Sequence, residues 1–187
     1  PTEDEVRDYY SAIAEVAGRP VFLQHTSGGL TTKTMCEMFE NIEYISYLKE
    51  EQMPSAHQIS SVVKSVGEGC LGIFGGGHGR WMISELRRGA TGFMPAVEGV
   101  DLHVQIWDAF KSENESKARE LFNVLLPQIN LILLLGHSVI KEILVRRGVF
   151  VTNKRRSPGS LDLDAEDLFE LDQIMEQLKP YYRVNWT

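Results

Sequence analysis

The sequence predicts an α/β fold in which a parallel sheet is followed by a helical region. Short apolar runs of strand character alternate four times with amphipathic stretches. They recur about every 20 to 25 residues, which is typical of βα units in a parallel sheet. From Asp101 onward the strand-like runs stop and only helical periodicity remains.

The first hundred residues supply the alternating elements. The opening helix has Thr2 as its N-cap, acidic residues in its first turn and Gly18 after its end. Apolar runs predict strands at 20–25, 44–48, 70–74 and 90–96. Helical spacing predicts further helices at 31–40, 54–66 and 79–88.

The rest of the chain is predicted to be helical, over 101–111, 116–147 and 164–179. The helix over 116–147 contains Pro127 and carries more apolar surface than packing on one side needs. This excess predicts that the protein forms oligomers.

Composition indicates an ordinary soluble protein. The net charge of -7 and the pI near 5.3 argue against a nucleic-acid-binding surface. Cys36 and Cys70 lie on different predicted elements without CxxC spacing, which fits a reducing, cytoplasmic compartment and no metal site. The apolar run 131–135 is too short for a membrane span, so no membrane association is expected. The chain begins with Pro1 rather than Met, and we expect a trimmed start or a piece of something longer.

Lys49 follows directly on the apolar run Tyr44–Leu48. In a parallel sheet or barrel, the carboxyl end of a strand is where catalytic side chains project. A lysine there is a candidate Schiff-base nucleophile, because a desolvated position favours the neutral amine that attacks a carbonyl. The alternative is a strand-end lysine that reaches into water.

Histidines and glycines near the predicted strand ends offer further candidates. The glycines of 75–79 follow a strand and precede a helix, as in phosphate-binding loops, but they lack the spacing of a P-loop or a dinucleotide site. His78 and His25 are each a possible acid or base or an ordinary loop histidine. Asp101, His103 and Asp108 are predicted to form a solvated helix face.

Several segments together resemble the dihydrodipicolinate synthase and N-acetylneuraminate lyase family. They are Pro1–Val6 with Tyr9–Ala14, Arg19–His25, Tyr47–Glu51, Gly72–Gly76, Arg88–Pro95 and Lys141–Gly148. The resemblance implies a (β/α)8 TIM barrel, of which residues 1–112 would supply about the last four βα units. Residues 113–187 would form the family's C-terminal helical extension.

The resemblance also implies a function. Lys49 matches the lysine that forms a Schiff base with a 2-oxo acid, a reaction that needs no added cofactor. Gly75 and Met94 fall where the family's seventh and eighth strands line the bound 2-oxo acid. Gln24 and His25, at the end of the strand before that of Lys49, are also expected to bind the substrate. The expected enzyme is a cytoplasmic lyase, either an aldolase or a dehydratase, assembled as a homotetramer or dimer.

Two departures from the family pattern bear on the substrate. Gln24 replaces the tyrosine that relays protons, and an amide cannot act as acid or base near neutral pH. Gly29 stands where the synthase has an arginine for the second carboxylate of its substrate. We therefore expect a 2-oxo-3-deoxy sugar acid as substrate, with His25 or a water as the acid-base group, and little synthase activity.

A third departure is the absence, before Pro1, of a counterpart to the family's first strands and their threonine pair. Four βα units alone would leave open sheet edges. A non-catalytic or truncated relative that only binds small oxo acids therefore stands as the alternative to a lyase.

Overall fold

The computed structural model describes residues 1–26, 28, 30–157, 159 and 161–183. The chain divides into two units, Pro1–Met94 and Pro95–Thr187. The sequence predicted a different kind of division, between a barrel portion at 1–112 and a helical extension at 113–187. That division stays a prediction.

The first unit contains a four-stranded parallel sheet in the order β1-β2-β3-β4. Its strands are β1 (Val21–His25), β2 (Ile45–Glu50), β3 (Gly72–Gly75) and β4 (Gly92–Phe93). Its helices are α1 (Glu3–Ala17), α2 (Thr32–Asn41), α3 (Ser55–Ser65) and α4 (Met82–Leu86). The predicted βα alternation is confirmed.

One face of this sheet forms the core of the unit. Leu23, Leu48 and Ile73 occupy matching register positions on β1, β2 and β3 and are buried. They pack in one cluster with buried apolar residues of the helices, Ala14, Met35, Met38, Phe39, Ile59 and Val62. Because side chains alternate along a strand, the residues between these positions face the other side of the sheet.

The ends of α1 follow their sequence signals. Thr2 forms a capping box with Glu5, in which each side chain accepts a hydrogen bond from the other residue's backbone N–H. Gly18 ends the helix in the left-handed conformation, with φ of 54°. The predicted capping residues are confirmed.

The last βα unit is shorter than predicted. The helix predicted at 79–88 is only Met82–Leu86, because a tight 3-10 turn, Gly77–Gly79, precedes it and His78 has φ of 58°. The strand predicted at 90–96 is only Gly92–Phe93. Pro95 has no N–H to donate to a sheet, and Val97–Gly99 form a second 3-10 turn.

The second unit is helical, with α5 (Val100–Lys111), α6 (Glu115–Leu135), α7 (His137–Arg146) and α8 (Ala165–Leu178). The single helix predicted at 116–147 is in fact two, α6 and α7. Gly136 separates them with φ of 70° and ψ of -146°. Residues other than glycine rarely adopt such angles. Pro127, in contrast, lies inside α6 and does not end the helix. Ile132, Val139, Ile143 and Leu171 then form one buried cluster.

The prediction of a solvated face at the start of α5 is wrong for two of its three residues. His103 is buried and its Nδ1 lies 2.8 Å from the carbonyl oxygen of Gly99. Asp101 forms a largely buried ion pair with Arg147, which also donates to the carbonyl oxygen of Glu98. Of the three, only Asp108 is exposed. Helical periodicity alone did not reveal that α7 brings Arg147 against this face.

Helix α6 is long and apolar enough to cross a membrane, judged by length and composition alone. It also carries core residues of the second unit, including Leu121, Leu125 and Ile129. The core helix of a soluble protein meets the same criterion. The absence of membrane association therefore stays a prediction.

Candidate functional site

Lys49 lies at the carboxyl end of β2, on the sheet face opposite the helices. Its register partner on β1 is Gln24, and its partner on β3 is Phe74. Two residues earlier, Tyr47 of β2 stacks on Phe22 of β1, with ring centroids 4.7 Å apart. Phe74 meets both rings edge to face. The amine of Lys49 therefore stands at the end of a half-buried aromatic layer.

Glu51 forms an ion pair with Lys49. Its Oε2 lies 3.0 Å from Lys49 Nζ and accepts a hydrogen bond of 2.7 Å from Gln24 Nε2. Its Oε1 accepts a bond of 3.0 Å from the backbone N–H of Gly77. The lysine and glutamate side chains are each 21% exposed, so solvent still reaches the pair.

These contacts also determine the charge of Glu51. Burial raises the pKa of this carboxyl, but hydrogen bonds from Gly77, Lys49 and Gln24 outweigh burial and hold the pKa below its ordinary value. Glu51 is therefore ionised near neutral pH. A carboxylate within hydrogen-bond distance of an amine can take a proton from it.

The loop after β3 is shaped around this carboxylate. A Cβ on Gly76 would lie 2.3 Å from Glu51 Cγ and Oε1, so a side chain at position 76 would displace Glu51. The loop amides of Gly77, Gly79 and Arg80 donate within the protein, to Glu51, to Gly76 and to Gly77. The N–H of Gly77 thus already donates to a carboxylate of the chain itself. This N–H is not free to bind a phosphate, so phosphate binding at this loop is disfavoured.

His25 lies on the helix-facing side of the sheet, away from Lys49. Its ring Nδ1 is 2.8 Å from Glu50 Oε2, and both side chains are buried. The other oxygen of Glu50 accepts from the backbone N–H of Gln52. The structure therefore places His25 and Lys49 on opposite faces, because adjacent strand residues alternate. A role for His25 in substrate binding stays a prediction.

A second buried carboxyl group, Glu85 of α4, lies on this helix-facing side. Its Oε1 accepts a hydrogen bond of 2.5 Å from Ser55 Oγ, at the start of α3. Burial, opposed by that bond and reinforced by the charges of Glu50 and Glu51, raises the pKa of Glu85 to about 7. Among the residues that the structure describes, Glu85 Oε2 has no hydrogen-bond partner.

Of the remaining predicted site residues, Gly75 lies beside Glu85 and Met94 bonds to Gly75. Gly75 ends β3, and its carbonyl oxygen accepts a bond of 2.9 Å from the backbone N–H of Met94. A Cβ on Gly75 would lie 2.2 Å from Glu85 Oε2. The structure thus joins Gly75 and Met94 to each other, and it joins Gln24 to Lys49 through Glu51. Gly29 lies outside the described residues.

Sequence reasoning missed both Glu51 and Glu85. Strand alternation could have revealed Glu51, because it stands two residues after Lys49 and so on the same face. Glu85 gives no such signal, since it reads as an ordinary polar residue of a short helix. Within the described part of the chain, no group of three His, Cys, Asp or Glu side chains could hold a metal ion.

Comparison with known proteins extends these observations. A sequence model described as the dihydrodipicolinate synthetase family matches residues 1–178. L-2-keto-3-deoxyarabonate dehydratase of Azospirillum brasilense is 22% identical over 181 residues, which are 95% of this chain and 59% of that protein.

Solved structures show the same fold. The dihydrodipicolinate synthase of Rhodopseudomonas palustris matches with a TM-score of 0.85 and 25% identity, over 95% of this chain and 62% of that one. A putative dihydrodipicolinate synthetase of Pseudomonas aeruginosa matches with a TM-score of 0.84 and 24% identity, with the same coverage. The chain thus spans about three fifths of the length of these relatives and has the fold of the corresponding part of their TIM barrel and helical region.

Proposed function

The chain belongs to the dihydrodipicolinate synthetase family, and from that premise we propose that it carries the Schiff-base lysine of a lyase that acts on a 2-oxo acid. The observation that supports this most directly is the pair of Lys49 and Glu51, with Nζ and Oε2 3.0 Å apart at the carboxyl end of a parallel strand. This end of the strand is where active sites lie in TIM barrels. The proposal includes a cytoplasmic homo-oligomer that needs neither cofactor nor metal.

In the proposed reaction, each residue of this pair has a step in imine formation. Glu51 takes a proton from Lys49, and the neutral amine attacks the keto carbon of the 2-oxo acid. The protonated Glu51 then returns that proton to the hydroxyl of the resulting carbinolamine, which leaves as water. Gln24 and the Gly77 N–H hold Glu51 in place during both transfers.

The substrate we propose is a 2-oxo-3-deoxy sugar acid, with dehydration as the reaction. The imine acidifies the hydrogens on C3, and loss of one of them with the C4 hydroxyl releases water. Glu51 provides the base for this step, so the amide of Gln24 has only to orient it. Similarity to a protein named as a 2-keto-3-deoxyarabonate dehydratase supports this choice.

Borohydride trapping tests the proposal. We expect wild-type protein mixed with pyruvate and borohydride to carry an adduct on Lys49, found by mass spectrometry. Lys49→Ala and Lys49→Arg should form none, because a guanidinium stays protonated and cannot attack a carbonyl. The matched control Lys33→Ala removes an exposed lysine of α2 and should react as wild type. A wild-type adduct on any other lysine, or none, would refute the assignment.

The same preparation distinguishes the alternatives. A dehydratase should lose water from 2-oxo-3-deoxy sugar acids and condense pyruvate with aspartate semialdehyde poorly. A protein that only binds oxo acids should be stabilised thermally by pyruvate without forming product. A clear preference for aspartate semialdehyde would overturn the choice of substrate.

A further inference from the structure

The buried carboxyl of Glu85 has no part in the imine chemistry described above, yet the fold makes room for it. Gly75, at the end of β3, lacks the Cβ that would lie 2.2 Å from Glu85 Oε2. Ser55, at the start of α3, donates its hydroxyl to Glu85 Oε1. Two elements besides α4 thus accommodate one buried acid, which is a costly group to bury.

The neighbours of Glu85 are also acidic. Glu50 on β2 and Glu51 just after it both act on Glu85 through their charges, and α3 presents the neutral hydroxyl of Ser55. His25 on β1 faces Glu50. Burial and the two carboxylates together favour the protonated form of Glu85, whose pKa is about 7.

Electrostatic coupling between two groups is reciprocal. If the charge of Glu51 makes Glu85 harder to ionise, then ionised Glu85 makes Glu51 hold a proton more tightly. The two carboxyl groups lie near the same strand end, because Gly75 and Gly76 are adjacent and a Cβ on each would lie 2.2 Å from Glu85 Oε2 and 2.3 Å from Glu51 Oε1, respectively. The interaction therefore acts across this strand end, from the helix-facing side to the face that carries Lys49. It gives Glu85 an effect on the site without contact with the substrate.

We propose that Glu85 is a positioning residue that sets the proton affinity of Glu51 through its own charge, and with it the balance of charge around Lys49. When Glu85 carries its proton, Glu51 is the weaker base. When Glu85 is ionised, Glu51 is the stronger base and takes the proton of Lys49 more readily. This inference rests on the proposed function for its consequence in catalysis, but the coupling itself is a property of the folded protein.

Carboxyl NMR tests the coupling directly. With glutamate labelled with ¹³C at the carboxyl carbon, we expect Glu85 to titrate near pH 7 and the Glu51 signal to show a second, smaller step at the same pH. Glu85→Gln should abolish that second step. The proposal would be overturned if the Glu51 signal of the wild-type protein lacked the second step, or if that step persisted in Glu85→Gln.

Two further variants make the result specific. Ser55→Ala removes a hydrogen bond that lowers the pKa of Glu85, so the steps of Glu85 and Glu51 should move together to higher pH. Steps that move apart would contradict the coupling even if Glu85→Gln does not fold. Glu37→Gln removes a different carboxyl of the first unit, one that pairs with Arg7 and Lys33, and should leave the Glu51 titration unchanged.

The pH dependence of adduct formation provides the functional readout. The rate of borohydride trapping with pyruvate should change slope near pH 7 in wild type and lose that feature in Glu85→Gln. Absence of any adduct at every pH would refute the proposed function and leave the NMR result intact. An adduct whose pH profile is identical in wild type and Glu85→Gln would refute the positioning role alone.

Discussion

At the scale of single residues, two adjacent glycines at the end of β3 each leave room for a different carboxyl group. Gly75 leaves room for Glu85, and Gly76 leaves room for Glu51. Glycine-rich loops after strands invite comparison with phosphate-binding loops. Here the missing side chains and the Gly77 N–H serve carboxylates of the chain itself. A glycine-rich loop after a strand therefore serves here to accommodate carboxyl groups of the protein and not to bind a phosphate.

Substitution of Gly76 tests this explanation. We expect Gly76→Ala to push Glu51 away from Lys49, since the new Cβ would lie 2.3 Å from Glu51 Cγ. The rate of imine trapping should fall by about tenfold or more, because a displaced Glu51 no longer holds the geometry needed for proton transfer with Lys49. Gly67→Ala is the control, since its Cβ would have only an ordinary contact of 3.5 Å with Glu40. Equal trapping rates in the two variants would contradict the explanation.

At the scale of secondary-structure elements, Gly136 decides how the second unit folds. Apolar periodicity runs on from α6 into α7, so the sequence pattern alone predicts one helix over 116–147. The observed φ of 70° and ψ of -146° at Gly136 end α6, and α7 begins at His137. Ile132 of α6 can then share a core with Val139 and Ile143 of α7.

Gly136→Ala should destabilise the second unit through backbone strain alone. Among the described residues outside the local backbone, no atom lies within 4 Å of the Cβ that would be added, so overlap with distant parts of the fold plays no role. A side chain in this region of φ and ψ costs roughly 1 to 3 kcal/mol. Chemical denaturation should show this loss in the free energy of unfolding.

The control is Gly148→Asn, because Gly148 has φ of 64° and asparagine tolerates the left-handed region better than other residues. It should lose less stability than Gly136→Ala. An unchanged free energy of unfolding in Gly136→Ala would mean that the helix break does not depend on glycine.

At the scale of the whole molecule, the described sheet ends in strands with open edges. Within the residues that the structure describes, β1 pairs only with β2, and β4 pairs only with β3. The N–H of Gln24, on the outer side of β1, donates to Tyr10 Oη of α1, which covers part of that edge. Open edges of this kind were expected from a chain that resembles the later βα units of a barrel.

The exposed apolar residues of the second unit predict self-association. Leu134 of α6 is 77% exposed, and Leu133, Val149, Phe150, Val151 and Phe169 are also exposed. Burial of such side chains in an interface is favourable by about 25 cal/mol per Å² of apolar surface. Light scattering at micromolar concentration should therefore report a dimer or larger species.

Leu134→Gln should shift this equilibrium toward the monomer. Val16→Gln provides the matched control, because Val16 is also an exposed apolar residue, at 89%, but lies on α1 in the first unit. A monomeric mass for the wild-type protein would contradict the prediction. An equal effect of both substitutions would show that association does not involve this part of α6.

The sequence by itself determined the alternation of strands and helices, the caps of α1 and the place of Lys49 at a strand end. These features depend on near neighbours, because strand periodicity, helical periodicity and capping all act over a few residues. The family resemblance, carried by segments along nearly the whole chain, predicted the fold that the solved relatives share.

Only the tertiary structure decided which groups surround Lys49. Register between β1 and β2 sets Gln24 beside Lys49, and the Gly77 turn supplies an N–H for Glu51. The packing of α3 and α4 brings Ser55 to Glu85. These contacts join residues about 25 to 30 positions apart, so no local pattern contains them. Burial then sets the protonation of Glu85, because a carboxyl removed from water holds its proton more tightly.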